Sequence, residues 1–148
     1  MATVLDVINN LEALDIPRES KIAVGKTTEG MIALNKEQLQ AGIGADGKRI
    51  GKYRSWHYAQ MKNAMNPLPG LGNVDLILTG SFSDSFQVDI NGEDIERIAT
   101  DSKTSDLIGR YGDDVFGLTD NNQEFYNEEV FYPVLADQVT DQTGLEFK

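Results

Sequence analysis

Few residues in this chain could do chemistry, and their spacing limits what each could do. Gly25-Lys26-Thr27 matches the tail of a phosphate-binding loop, in which backbone N–H groups wrap the phosphates and the lysine reaches the terminal ones. That pattern needs a glycine five residues before Gly25, where Ser20 stands, and Pro17–Ile22 is not a hydrophobic strand. The triplet therefore reads as a junction between helices. His57 is the only histidine, so a histidine-rich metal site is excluded. A general base would need a nucleophile beside it. Flanked by Trp56 and Tyr58, His57 reads instead as a partly packed helical residue. Asp89, Glu93, Asp94 and Glu96, and the pair Asp113-Asp114, could offer oxygens to calcium or magnesium. A calcium loop sets its ligands at alternate positions around a central glycine and closes on a bidentate glutamate. Asp89-Ile90-Asn91-Gly92-Glu93 is too short for that and lies on a hairpin. Among 24 acids, no pair can be assigned to glycoside hydrolysis by sequence alone. Thr79-Gly80-Ser81-Phe82 carries a serine but not the Gly-x-Ser-x-Gly elbow. The chain has no cysteine, which removes disulfides, thiolate zinc sites and a thiol nucleophile. These motifs assign no catalytic, cofactor-binding or metal-binding residue.

Charge is the more informative property. The net charge is -11. Residues 1–66 hold 9 Lys/Arg against 7 Asp/Glu, while residues 67–148 hold 4 against 17. The basic excess gathers at Lys48, Arg49, Lys52, Arg54 and Lys62. The simplest reading is a solvated surface. The sharper one is a polar molecule whose basic edge meets the acidic edge of a neighbouring copy, Asp113 and Asp114 included. Head-to-tail contacts of that kind close into rings when the rotation allows. The overall acidity argues against nucleic-acid binding, though not against a negative lumen that DNA slides past.

The elements that must position these residues fit one domain: 148 residues, 40% of them hydrophobic. No basic-then-apolar leader opens the chain and no apolar run reaches membrane-spanning length. A soluble protein of the cytoplasm, or of something assembled there, is expected. A helix over 3–14 is capped by Thr3, with Val4, Val7, Ile8, Leu11 and Leu14 in a stripe. Pro17 interrupts or starts the next helix, over about 18–25, and a further one spans 27–41. Three glycines in residues 41–47 end it, with Asp46-Gly47 as a tight turn. Residues 48–54 read as extended, 55–65 as a short helix, and 66–72 as a loop. The loops 41–47 and 66–72 are candidates to order only on a partner. Strands are expected over 74–79 and 82–90, the second alternating Phe82, Phe86, Val88 and Ile90 with polar residues. Gly80 would bend between them, leaving Ser81, Ser83 and Ser85 outward. Asn91-Gly92 is a hairpin turn with a return strand after it, and a short helix follows over 102–110. Gly117 and Thr119 then turn the chain into a C-terminal helix reaching about residue 142. Its apolar positions Phe125, Tyr126, Val130, Phe131, Val134, Leu135 and Val139 mark one buried face. The class is α+β: a small antiparallel β-sheet packed with N-terminal helices and a long C-terminal helix.

Several short motifs recur in a recognisable order. They are Gln38-Leu39-Gln40-x-Gly42, Asp46-Gly47, Tyr58-x-x-x-Lys62, Asp75-Leu76-x-Leu78-Thr79-Gly80-x-Phe82-x-x-Ser85, and Phe116-Gly117-Leu118-Thr119 before a last helix. The order resembles the tailed-bacteriophage virion morphogenesis family: head–tail connector, tail-completion and neck-ring proteins. The resemblance covers about residues 36–142, leaving 1–35 as a separate N-terminal helical segment of the single domain. The Trp and Pro usual near the Asp-Gly loop are displaced. The resemblance implies a non-enzymatic virion structural protein, without a cofactor, that forms a ring in the neck, on the DNA exit path. Its partners would be copies of itself, the portal, and adjacent neck or tail proteins. DNA would pass without specific binding, and no membrane would be involved. On that reading Lys48, Arg49, Lys52, Arg54, Lys62, Asp113 and Asp114 are interface residues, with loops 41–54 and 66–73 inserted into neighbours.

Two other classes remain open at this point. A small acidic adaptor would bind a basic partner through its C-terminal half and stay a stable monomer. An enzyme would need a pocket with converging acids of shifted pKa, and no motif supports one.

Overall fold

Thr3 starts the first helix by a reciprocal cap. Its Oγ1 accepts from the Asp6 backbone N (3.1 Å), and Asp6 Oδ2 accepts from the Thr3 backbone N (2.9 Å). Helix α1 (Val4–Glu12) follows. Asp15 caps α2 (Ile16–Lys26), with Pro17 in the first turn, where a missing N–H costs nothing. Helix α3 (Thr28–Gln40) comes next, then α4 (Trp56–Met65), which Ser55 caps. A one-turn helix α5 (Ser81–Asp84) leads into strands β1 (Phe86–Asn91) and β2 (Asp94–Ala99). Helix α6 (Thr104–Tyr111), a 3-10 turn (Asp113–Val115) and α7 (Asp120–Phe125) follow. A π-helical turn (Tyr126–Phe131) then runs into α8 (Tyr132–Thr143). The computed structural model describes residues 3–77, 80–92 and 94–145. The class is α+β, as expected.

The two strands form one antiparallel hairpin, with Phe86 opposite Ala99 and Asn91 opposite Asp94. Gly92 turns it at φ +63°, as Asn-Gly chemistry requires.

The chain groups into two compact units. Residues 1–30 and 124–148 form one compact unit, and residues 31–123 form a second. The C-terminal helix thus belongs with the N-terminal helices rather than with a 36–142 core. In this terminal unit α8 packs against α1 and α2. Thr27 Oγ1 lies 2.7 Å from the Tyr126 hydroxyl, and Gln138 Nε2 donates to Glu19 Oε2 at 2.9 Å. The central unit packs Leu39, Phe82, Phe86 and Val115 into a buried cluster, with Phe82 and Phe86 edge to face at 5.0 Å.

Several expectations are corrected. Residues 74–77 are not a strand: Leu76 sits at φ +58°, in the left-handed region that breaks an extended run. Leu78 and Thr79 lie outside the described residues. The strand expected from Phe82 begins only at Phe86, because Gly80, at φ +84°, opens α5 instead of bending between strands. Ser83 is buried, and Ser85 Oγ bonds inward to the Phe82 carbonyl at 2.7 Å. His57 is exposed rather than partly packed. The α1 stripe is largely bare: Val4 is 78% exposed, and no residue of α1 is fully buried. The long C-terminal helix is present, and it carries a π-helical turn within it. Pro133 lacks an N–H, and its ring would crowd the carbonyl four residues back, so the wider π turn stands directly before it. Of the face expected there, Tyr126 and Val139 are buried and Phe125 is exposed.

Candidate functional site

Loops 41–54 and 66–73 are already ordered in the central unit. Isolated bridges pair Ile43 with Arg49 and Lys52 with Asn73. Val74 N donates to the Gly51 carbonyl (3.0 Å), and Arg49 Nη1 donates to the Pro69 carbonyl (2.5 Å). Gly42, at φ +78°, lets the chains meet, since a Cβ there would lie 2.8 Å from both Val74 O and Pro69 Cβ. These loops are therefore not waiting for a partner to fold them.

Beneath them lies a buried charge pair. Lys62 Nζ is 2.7 Å from Asp75 Oδ1, and both side chains are almost wholly enclosed. Lys62 also donates to the Ile77 carbonyl. Asp75 Oδ1 further accepts from Ile77 N (3.0 Å) and the Tyr53 hydroxyl (3.3 Å), while Asn66 Nδ2 donates to Oδ2 (2.9 Å). Burial pushes the Tyr53 hydroxyl pKa upward, and the Asp75 charge adds to that. Both carboxylate oxygens are engaged, so the arrangement holds backbone in place rather than offering a base to a substrate. It also accounts for the missing strand: the Lys62 ammonium and the Asp75 carboxylate take up backbone groups that a ladder would have used. Lys62 is thus corrected from a surface interface residue to a buried structural one.

A second clamp joins α3 to the turn before α7. Asn35 donates from Nδ2 to the Val115 carbonyl (3.1 Å) and accepts at Oδ1 from Gly117 N (3.0 Å). Gln38 donates to the Gly117 carbonyl (3.1 Å) and accepts at Oε1 from Thr119 N (2.9 Å). Gly117 sits at φ +111°. Thr119 caps α7, as expected, by accepting from Asn122 N at 3.3 Å. Gln38 opens the first of the sequence motifs, but Asn35 was not singled out, and neither amide was read as a clamp. Their signal was two polar residues on the same face as Met31 and Leu39.

Above Lys62 opens a cleft of about 790 Å³. Lys52 and Arg54 line it, as do Lys103 and Arg110 from around α6. All four are exposed, and among the described residues none forms an ion pair and no Asp or Glu lines the cleft. Tyr53, Tyr58 and Tyr111 supply aromatic walls, with Tyr53 and Tyr58 edge to face at 5.0 Å. Of the sequence-predicted basic residues, then, the structure brings together Lys52 and Arg54. Lys48 is exposed at the Asp46-Gly47 turn, and the Arg49 guanidinium is engaged by Pro69. Asp113 and Asp114 are exposed on the 3-10 turn. Lys103 and Arg110 were missed because about fifty residues separate them from Lys52.

Gly25-Lys26-Thr27 is the expected helix junction. Thr27 Oγ1 lies 2.8 Å from the Ala23 carbonyl, facing inward. Among the described residues no group of three or more His, Asp or Glu could hold a metal ion, and no helix is long and apolar enough to cross a membrane. Comparison of the chain with protein-family models, curated proteins and solved structures finds no match.

Proposed function

We propose that this chain is a non-enzymatic structural protein of a tailed-phage virion, forming a ring in the neck between portal and tail. The reading rests on the ordered motifs of residues 36–142, and one observation carries it furthest. The motif residues are tied to one another by side-chain bonds. Lys62 of the Tyr58-x-x-x-Lys62 motif pairs with Asp75 of the Asp-Leu motif, at 2.7 Å. Gln38 of the first motif clamps Gly117 and Thr119 of the last. Ser85 Oγ accepts from Asp101 N at 3.0 Å and fixes the end of the hairpin. Residues that make a pattern by supporting each other, rather than by converging on a reactant, suit a scaffold that presents surfaces to neighbours. The exposed side chains of Trp56, Met61, Met65, Leu68 and Leu71 supply apolar surface for such contacts.

The test is the mass of concentrated protein by light scattering, with negative-stain images, alone and with the portal ring of the phage that encodes it. Rings of one stoichiometry, alone or on the portal, are expected. A chain that stays monomeric and leaves the portal bare would overturn the reading. Salt-sensitive capture of a cationic protein by that monomer would then favour the acidic adaptor.

A further inference from the structure

We infer that the basic cleft is the receptor for the acidic, aromatic C-terminal segment of a second copy of this chain. The inference rests on the ring-forming reading and names the contact that would close the ring. In a chain of net charge -11, four exposed cations facing one cleft, with no carboxylate lining it among the described residues, form a local reversal of sign. The opposite sign is equally concentrated. Residues 124–145 contain Glu124, Glu128, Glu129, Asp137 and Asp141, all exposed, and no Lys or Arg.

The shapes also correspond. The cleft walls include Tyr53, Tyr58 and Tyr111, so the site wants apolar surface flanked by negative charge. Phe125 stands beside Glu124, and Tyr132 follows Glu128 and Glu129; each ring is 52% exposed. An aromatic anchor among carboxylates, placed against tyrosines and arginines, combines desolvated ring packing, cation–π attraction and paired charge. A cleft of about 790 Å³ is large enough for side chains of that kind. Because cleft and segment are different patches of one molecule, the contact is heterologous, and repetition gives a ring or a filament rather than a two-fold dimer.

The experiment is a charge swap. One variant carries Lys52→Glu, Arg54→Glu and Lys103→Glu; the other carries Glu124→Lys, Glu128→Lys and Asp137→Lys. All six positions are exposed, so circular dichroism should show both variants folded. The wild type should self-associate at low salt and fall apart at high salt. Each variant alone should be monomeric, since its cleft and segment now share one sign. The equimolar mixture should assemble, because each cleft then meets a segment of opposite charge. Phe125→Ala should weaken wild-type assembly without altering its salt dependence. Variants that assemble as the wild type does would overturn the cleft contact and leave ring formation standing. A mixture that stays monomeric, or a wild type monomeric at low salt, would also overturn it. The portal measurement above decides the ring reading separately.

Discussion

In the central unit, segments without regular structure are fixed by buried polar side chains: Lys62 and Asp75 under residues 74–77, Asn35 and Gln38 on residues 115–119. The terminal unit is mostly helix, and helices satisfy their own backbone groups. Loops have no such ladder, so their N–H and C=O groups must find side chains or water. The difference does not extend to the apolar surface: Val4, Leu5, Ile8, Leu11 and Phe125 are exposed on the terminal unit, and Trp56, Met65 and Leu68 on the central one. The central unit spends its polar groups inward and keeps cations for its cleft. Breaking the comparison means removing the inward polar groups one at a time and watching which unit responds.

The largest effect should come from Lys62→Ala. It strands the Asp75 carboxylate in a closed site, and breaking such a pair costs about 3–5 kcal/mol. Lys62→Met with Asp75→Leu should recover most of that loss, because the stranded charge goes too. Chemical denaturation gives the size, and hydrogen exchange should localise the new opening to residues 74–77. Equal losses in the single and double variants would mean that packing, not charge, holds this segment.

Gln38→Ala should follow. It leaves the Gly117 carbonyl and the Thr119 N–H without their side-chain partner, for about 2–3 kcal/mol in all. Faster exchange should appear at residues 117–119 and spare α1 and α2. Protection lost equally in the N-terminal helices would show that the two units do not respond separately.

These two sites also show what sequence could and could not convey. The hairpin was legible because Asn91-Gly92 fixes its geometry locally, and the Thr3 and Thr119 caps were legible for the same reason. The strand over 74–77 was misread because its hydrophobic run suited a ladder, while the deciding partner, Lys62, lies on another element. Lys62 in turn looked like one more member of a basic run, since burial depends on what folds over it. Lys52 and Arg54 were legible as a cationic edge, but Lys103 and Arg110 reach the same cleft only through the fold.

In the terminal unit the polar contact to test is Glu19. A side-chain hydrogen bond from Gln142 holds its pKa below the ordinary 4.5, opposed by desolvation and helped by Gln138. A carboxyl whose folded pKa is depressed adds stability above its unfolded pKa and loses it as pH falls through the folded value. Stability of α2 and α8 should therefore decline as pH falls through about 4.5, where the unfolded glutamate is half protonated, and on down through the lower folded value. Glu19→Gln should flatten that decline while changing the central unit less. An unchanged acid slope, measured by denaturation at stepped pH, would remove Glu19 from the account.

The smallest effect tests distance against environment. Lys36 and Asp84 approach to 2.7 Å, the same separation as Lys62 and Asp75, but their side chains are 37% and 67% exposed. Water screens the exposed pair and leaves each charge solvated when its partner is removed, so Lys36→Ala should cost no more than about 1 kcal/mol. The buried charge has no such refuge. If the two lysine deletions proved equally costly in one denaturation series, burial would not be what makes the central pair matter. The inward-facing polar groups would then lose their role as the pins of the central unit.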